Sequence, residues 1–154
     1  MIPLVLALAT AAIALAFASP VRSLTERVQG PLTRRTTAGC LFLIRARVVG
    51  GGTQTTCLTK INGFPGPEAT IHSEGSMTFA LRGGTIRTRV RITQRFAADG
   101  LHAHQALRGS ITGGTGRYCE ARGAITGGGA VVDRRAGLGP VNLRYTLSLQ
   151  RTTS

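Results

Sequence analysis

The sequence predicts an all-β fold built from short antiparallel strands. Segment after segment alternates apolar and polar residues with period two, glycines collect at the junctions between those segments, and no window carries an apolar stripe at helical spacing. Aromatic residues are few and tryptophan is absent, so the core of such a domain rests on Val, Ile, Leu, Phe and Ala.

The chain opens on an apolar run, Ile2 to Phe17, and Ala16-Phe17-Ala18 ahead of Ser19 has the small-x-small pattern of a signal peptidase site. Residues 1–18 therefore read as a signal peptide and the protein as secreted. The alternative is a membrane anchor formed by residues 2–17, although the run is slightly short of the roughly 20 residues needed to span a bilayer. Without the leader about 136 residues remain, enough for one domain with a real core.

Residues 19–38 contain Thr and Arg without clear periodicity and are expected to form an irregular lead-in to a domain over 39–154. The alternation begins at Cys40, with Phe42, Ile44, Ala46 and Val48 on one face and Arg45 and Arg47 on the other. Further strands are expected over Thr53–Ile61, Ala69–Ser73, Ser76–Leu81, Thr85–Phe96, Leu101–Ile111, Arg117–Ile125 and Val141–Gln150. Gly50-Gly51-Gly52-Thr53 marks a turn, and Gly63, Pro65, Gly66 and Pro67 mark a loop. Gly127, Gly128 and Gly129 are expected to break the chain, with a short strand from Ala130 to Asp133 after them. Roughly seven to nine strands joined by Gly-rich turns imply a sandwich or a barrel, and closure removes exposed edges.

The most informative stretch is Gly109 to Gly123, which packs five glycines around the junction of two alternating segments. It is not a phosphate-binding loop, because Gly116 is followed by Arg117 and Tyr118 where a P-loop needs Lys and Ser or Thr. Nor is it a dinucleotide fingerprint, whose third glycine would fall at Cys119. Gly113, Gly114, Thr115, Gly116, Tyr118, Ala121, Arg122 and Gly123 stand in register with the GGTG(x)(F/Y)xxARG segment of the dirigent and allene oxide cyclase-like barrels, which the chain thus resembles. The resemblance implies a calycin/dirigent-like, eight-stranded antiparallel β-barrel, assembly as a homotrimer, and a ligand cavity associated with the arginine at position 122. This chain carries no acidic residue between Asp99 and Glu120, whereas dirigent proteins have an Asp shortly before the motif.

On a strand running through Arg117–Ile125, Tyr118, Glu120 and Arg122 share one face, and they are the candidate ligand-binding residues. A surface ion pair between Glu120 and Arg122 is the plainer alternative. No catalytic residue is assigned, because no Ser/His/Asp or Cys/His constellation stands out. Histidines 102 and 104 share a face, but two ligands do not make a metal centre and His72 lies on another segment, so no metal or other cofactor is expected. Cys40 and Cys57 flank the Gly50–Gly52 turn and form the favoured disulfide, although symmetric folding of the turn does not set them directly opposite without a bulge or a neighbouring strand. Cys119 is left free and is expected to be a small buried core residue.

Basic residues outnumber acidic ones by thirteen, and all but Lys60 of the nineteen are arginine. Such an excess attracts anionic polymers and surfaces. Arg87, Arg89, Arg91 and Arg95 fall on one face of a single strand and form a basic ribbon, either a solvated outer face or a contact for an anionic partner. Nucleic acid is a poor fit, since export separates it from the chain and no aromatics interleave the arginines.

Two functions compete. One is a secreted allene oxide cyclase/dirigent-like barrel that binds a small apolar or aromatic molecule and guides its cyclisation or coupling as a cofactor-free isomerase or cyclase. The other is a non-enzymatic extracellular or envelope binding module that works through its basic outer face. An open cavity lined by Tyr118, Glu120 and Arg122 supports the first; a filled barrel supports the second.

Overall fold

The computed structural model describes residues 22–37, 39–134 and 137–150, with side chains over 39–132 and 141–150. The signal peptide and anchor readings fall on residues 1–18, outside the described residues. The elements are β1 (Arg22–Thr37), β2 (Cys40–Val48), β3 (Thr53–Asn62), β4 (Thr70–Leu81), β5 (Gly84–Phe96), β6 (His102–Gly114), a 3-10 turn (Gly116–Tyr118), β7 (Arg122–Arg134) and β8 (Gly137–Gln150). Each strand pairs antiparallel with its sequence neighbour, and β1 pairs with both β2 and β8, so the strand order runs round a closed barrel. The all-β expectation is met, and no α-helix occurs among the described residues.

Three segments depart from the sequence reading. The lead-in expected to be irregular over 19–38 carries β1. Its ladder to β2 shifts register between Gln29 and Thr33 and between Arg35 and Thr37, and Pro31 falls within the first shift, so the period-two signal is lost while backbone pairing on both sides persists. The expected strands Ala69–Ser73 and Ser76–Leu81 are one strand, β4, because Gly75 takes an inward position against β3 instead of turning the chain. Gly127–Gly129 do not break the chain but run through the middle of β7, paired to Leu107, Ala106 and Gln105 of β6 and to Tyr145, Arg144 and Leu143 of β8.

That run has a packing reason. A Cβ on Gly127 would run into the Arg144 carbonyl oxygen and stand 2.8 Å from both Cα and Cδ1 of Tyr145, so the absent side chain lets the β8 backbone and the tyrosine ring come this close. Phe79 meets that ring edge-on, at 5.7 Å between centroids. Met77, Ile86, Val90, Ile125 and Leu147 are sealed around the pair. A smaller cluster of Ile71, Phe96 and Ala103 lies beside the loops that join β3 to β4 and β5 to β6.

Cys40 and Cys57 are joined, with their Cα atoms 5.3 Å apart. The β2–β3 ladder runs from Arg47↔Thr53 to Phe42↔Leu58; Cys57 lies within it, opposite Leu43, while Cys40 lies beyond its end and pairs with Thr37 of β1. A neighbouring strand thus supplies the displacement that simple hairpin symmetry lacks.

Candidate functional site

The glycine motif is a joint between hairpins. Gly116 has φ of +58°, and a Cβ there would run into the carbonyl oxygen of Gly83, so only glycine lets this turn press against the β4–β5 hairpin. The backbone N–H of Arg117 donates to that carbonyl at 2.9 Å, and the N–H of Thr85 donates to Oγ1 of Thr115 at 3.1 Å. Thr115 and Thr85 hydroxyls also meet at 2.8 Å.

This joint separates the three residues expected to share a strand face. Tyr118 lies in the 3-10 turn, half-buried against the edge of the core, with the Arg117 guanidinium 5.6 Å from its ring centroid. Glu120 is exposed in the turn that follows, and β7 begins only at Arg122. Arg122 is exposed as well, and its Nη1 donates to the Ala121 carbonyl at 2.8 Å. The expected strand Arg117–Ile125 is therefore corrected: left-handed backbone at Gly116 ends the extended run, and the Tyr118, Glu120 and Arg122 side chains do not line one strand face. Cys119, expected to be buried, is an exposed free thiol in the same turn.

The interior carries a few polar groups, and among the described residues no fully buried side-chain nitrogen or oxygen lacks a hydrogen-bond partner. Gln54 donates to the Thr56 hydroxyl, and the Thr88 hydroxyl donates to the Met77 carbonyl at 3.1 Å. Gln94 donates to Oε1 of Gln105 at 3.1 Å, and Gln105 donates to the Tyr145 phenol oxygen at 3.4 Å. Burial pushes the Tyr145 phenol well above its ordinary pKa, with the Gln105 hydrogen bond acting weakly the other way. It stays protonated at neutral pH and is no anionic base.

Charge gathers outside. Along β5, Ile86, Thr88, Val90 and Ile92 point inward and are buried, so Arg87, Arg89, Arg91 and Arg95 are all exposed on the outer face. Register adds a residue that the sequence did not single out: Arg108 of β6 lies directly opposite Arg91 and is exposed beside it. Like charges at opposed positions repel. Among the described residues, the carboxylate that meets this face is Glu74, whose Oε1 is 3.5 Å from Arg91 Nε in a well-solvated pair. A groove of about 440 Å³ lies over β4, β5 and β6, and its outward residues are His72, Glu74, Arg91, Thr93, Ala106 and Arg108.

The histidines serve separate local roles. His72 Nδ1 and the Thr93 hydroxyl are 3.2 Å apart across the β4–β5 ladder. His102 Nδ1 lies 2.5 Å from Asp99 Oδ2, and Asp99 also accepts from the backbone N–H groups of His102 and Leu101. Those two backbone bonds, with the His102 side chain, lower the Asp99 pKa from 3.8 to about 2. Among the described residues no three His, Cys, Asp or Glu side chains gather to hold a metal ion.

No family model matches the sequence, and no curated protein matches it. Among solved structures, the chain is similar to a pterocarpan synthase dirigent protein, with 10% identity over 90% of each chain and a TM-score of 0.34.

Proposed function

We propose that this chain is an exported, dirigent/allene oxide cyclase-like barrel that acts as a non-enzymatic binding module, holding an anionic polymer or surface on its outer face. The observation that carries this reading is the set of exposed arginines 87, 89, 91, 95 and 108 on adjacent outward positions of β5 and β6, met among the described residues by the one carboxylate of Glu74. The interior, by contrast, is taken up by the protein's own side chains around Phe79 and Tyr145. The disulfide agrees with an oxidising compartment. The glycine motif supports the family reading and builds the joint between hairpins, so it does not require a reaction.

The second reading keeps a small apolar or aromatic ligand inside the barrel, guided through cyclisation or coupling without a cofactor. It is favoured by the hydrogen-bonded chain Gln94–Gln105–Tyr145, which places a protonated phenol in an apolar interior. One experiment separates the two. The mature protein, from Ser19 onward, and its variant Arg87→Ser/Arg89→Ser/Arg91→Ser/Arg95→Ser are passed over dextran sulfate in a salt gradient and titrated with unsaturated fatty acids and phenols. Retention that falls with salt and is lost in the variant is the expected result. Absence of retention, with saturable ligand binding that the variant keeps, would reverse the order of the readings.

A further inference from the structure

The arginine ribbon is not uniform along its length, and the groove beside Arg91 and Arg108 differs from the rest in shape and chemistry. One outward row of the ladder runs His72, Thr93, Ala106, Gly128, Arg144. Ala106 contributes one methyl group and Gly128 no side chain, so the outer surface drops between taller neighbours on β4, β5 and β8. The next row runs Glu74, Arg91, Arg108, Thr126, Thr146, and it sets two guanidinium groups side by side at the edge of that drop. Arg108 makes no ion pair or hydrogen bond among the described residues. Its five donors are open to a ligand.

Resting on the anion-binding reading above, we infer that this groove seats part of an acidic glycan, with a uronate carboxylate held by Arg91 and Arg108 and neighbouring sugar hydroxyls held by Glu74, His72 and Thr93. Guanidinium groups take a carboxylate through two parallel N–H donors, and paired arginines offer that geometry from both sides. A uronate and a phosphate both meet the Glu74 carboxylate as a like charge, but a polyphosphate carries charge on every unit and no hydroxyl between, whereas the hydroxyls of an acidic glycan donate to Glu74. The Ala106 methyl gives the C–H face of a ring an apolar floor. Among the described residues no Phe, Tyr or Trp side chain borders the groove, so it offers no large aromatic platform for base stacking. Its volume of about 440 Å³ falls within the range of about 300–1,000 Å³ usual for small-ligand sites.

The test uses the mature chain with three variants. Ala106→Leu fills the groove from an exposed position without touching charge, Arg108→Gln removes a guanidinium at its edge, and Arg87→Ser removes a ribbon charge outside it. Each is titrated with galacturonate oligosaccharides and, separately, run on dextran sulfate and on immobilised polyphosphate. The expected result is that Ala106→Leu and Arg108→Gln each weaken oligogalacturonate binding roughly ten-fold or more. Ala106→Leu should elute from dextran sulfate with the wild type, and Arg87→Ser should elute earlier yet bind the oligosaccharide normally. Wild-type affinity of Ala106→Leu for the oligosaccharide overturns the groove while leaving the ribbon reading in place. Tighter wild-type binding to polyphosphate than to oligogalacturonate overturns the glycan assignment. Failure of the wild type to bind any of the three overturns both the ribbon reading and the groove.

Discussion

Gly127 is a residue whose value lies in what it lacks. With its Cβ position pressed into the Arg144 carbonyl oxygen and 2.8 Å from the Tyr145 ring, Gly127→Ala must push back the β8 backbone as well as a phenol already packed against Phe79, and overpacking of this kind costs about 1–3 kcal/mol. A lower urea midpoint at unchanged slope is the expected result, and an unchanged midpoint would show that strand and ring give way freely. Asp99 provides a residue-scale test in pH. Its carboxyl is depressed in the folded state, so the stabilisation it gives is fully present above its ordinary value of 3.8 and is lost as pH falls through about 2. A carbon-detected NMR titration of this carboxyl should find its midpoint near 2, moving back toward 3.8 in the acid-unfolded chain. At this scale the sequence was informative where local spacing decides and silent where packing does. The Cys40–Cys57 pair follows from two half-cystines flanking one turn, but nothing in the chain beside Cys119 reveals that its turn faces solvent. Tyr118, Glu120 and Arg122 have strand spacing in the sequence, and the left-handed backbone at Gly116 undoes it.

Elements were legible in proportion to their periodicity. β5 alternates without interruption from Ile86 to Ile92, so its extent and its outward arginines both follow from the residue pattern alone. β1 loses its period at two register shifts and at Pro31, and only pairing with β2 and β8 makes it a strand. β7 hid behind three consecutive glycines, which signal a turn to local rules and here let the backbones of β6 and β8 approach closely, with the Tyr145 ring beside Gly127. Arg108 does not stand out as a partner of Arg91 in the sequence, because cross-strand register is a property of two strands and cannot be taken from either alone. The disulfide also acts at this scale, since it ties the start of β2 to β3 across a sequence separation of 17. A loop of that size lowers the entropy of the unfolded chain by an amount worth about 3 kcal/mol in stability. Cys40→Ser/Cys57→Ser should therefore unfold at clearly lower denaturant concentration than the oxidised wild type, and reduction of the wild type should reproduce the loss.

For the whole molecule, chain composition and strand geometry divide the work. Net charge of +13 is plain from composition, yet its placement depends on the alternation that turns apolar residues in and arginines out. The inside of the barrel was the least accessible to sequence reasoning, because whether it holds a ligand or its own side chains depends on how Tyr145, Phe79 and Met77 from separate strands meet. That meeting weakens the case for a catalytic cavity and shifts attention to the outer surface, where a polyanion can be held without any enclosed space.

The pairing of β1 with β8, from Arg22↔Leu149 to Pro31↔Pro140, sets a clock on folding. A chain that emerges N-terminus first makes Arg22–Thr37 early and Gly137–Gln150 late, and the seam between them cannot form until the later strand has been made. Until then the growing sheet has two open edges, each a template for pairing with a neighbouring chain. Contacts of such long range make a slow folder. The seam is thus a timing device as well as a joint: it keeps the molecule incomplete while it is being made, and loss of the last strand would leave it open to self-association.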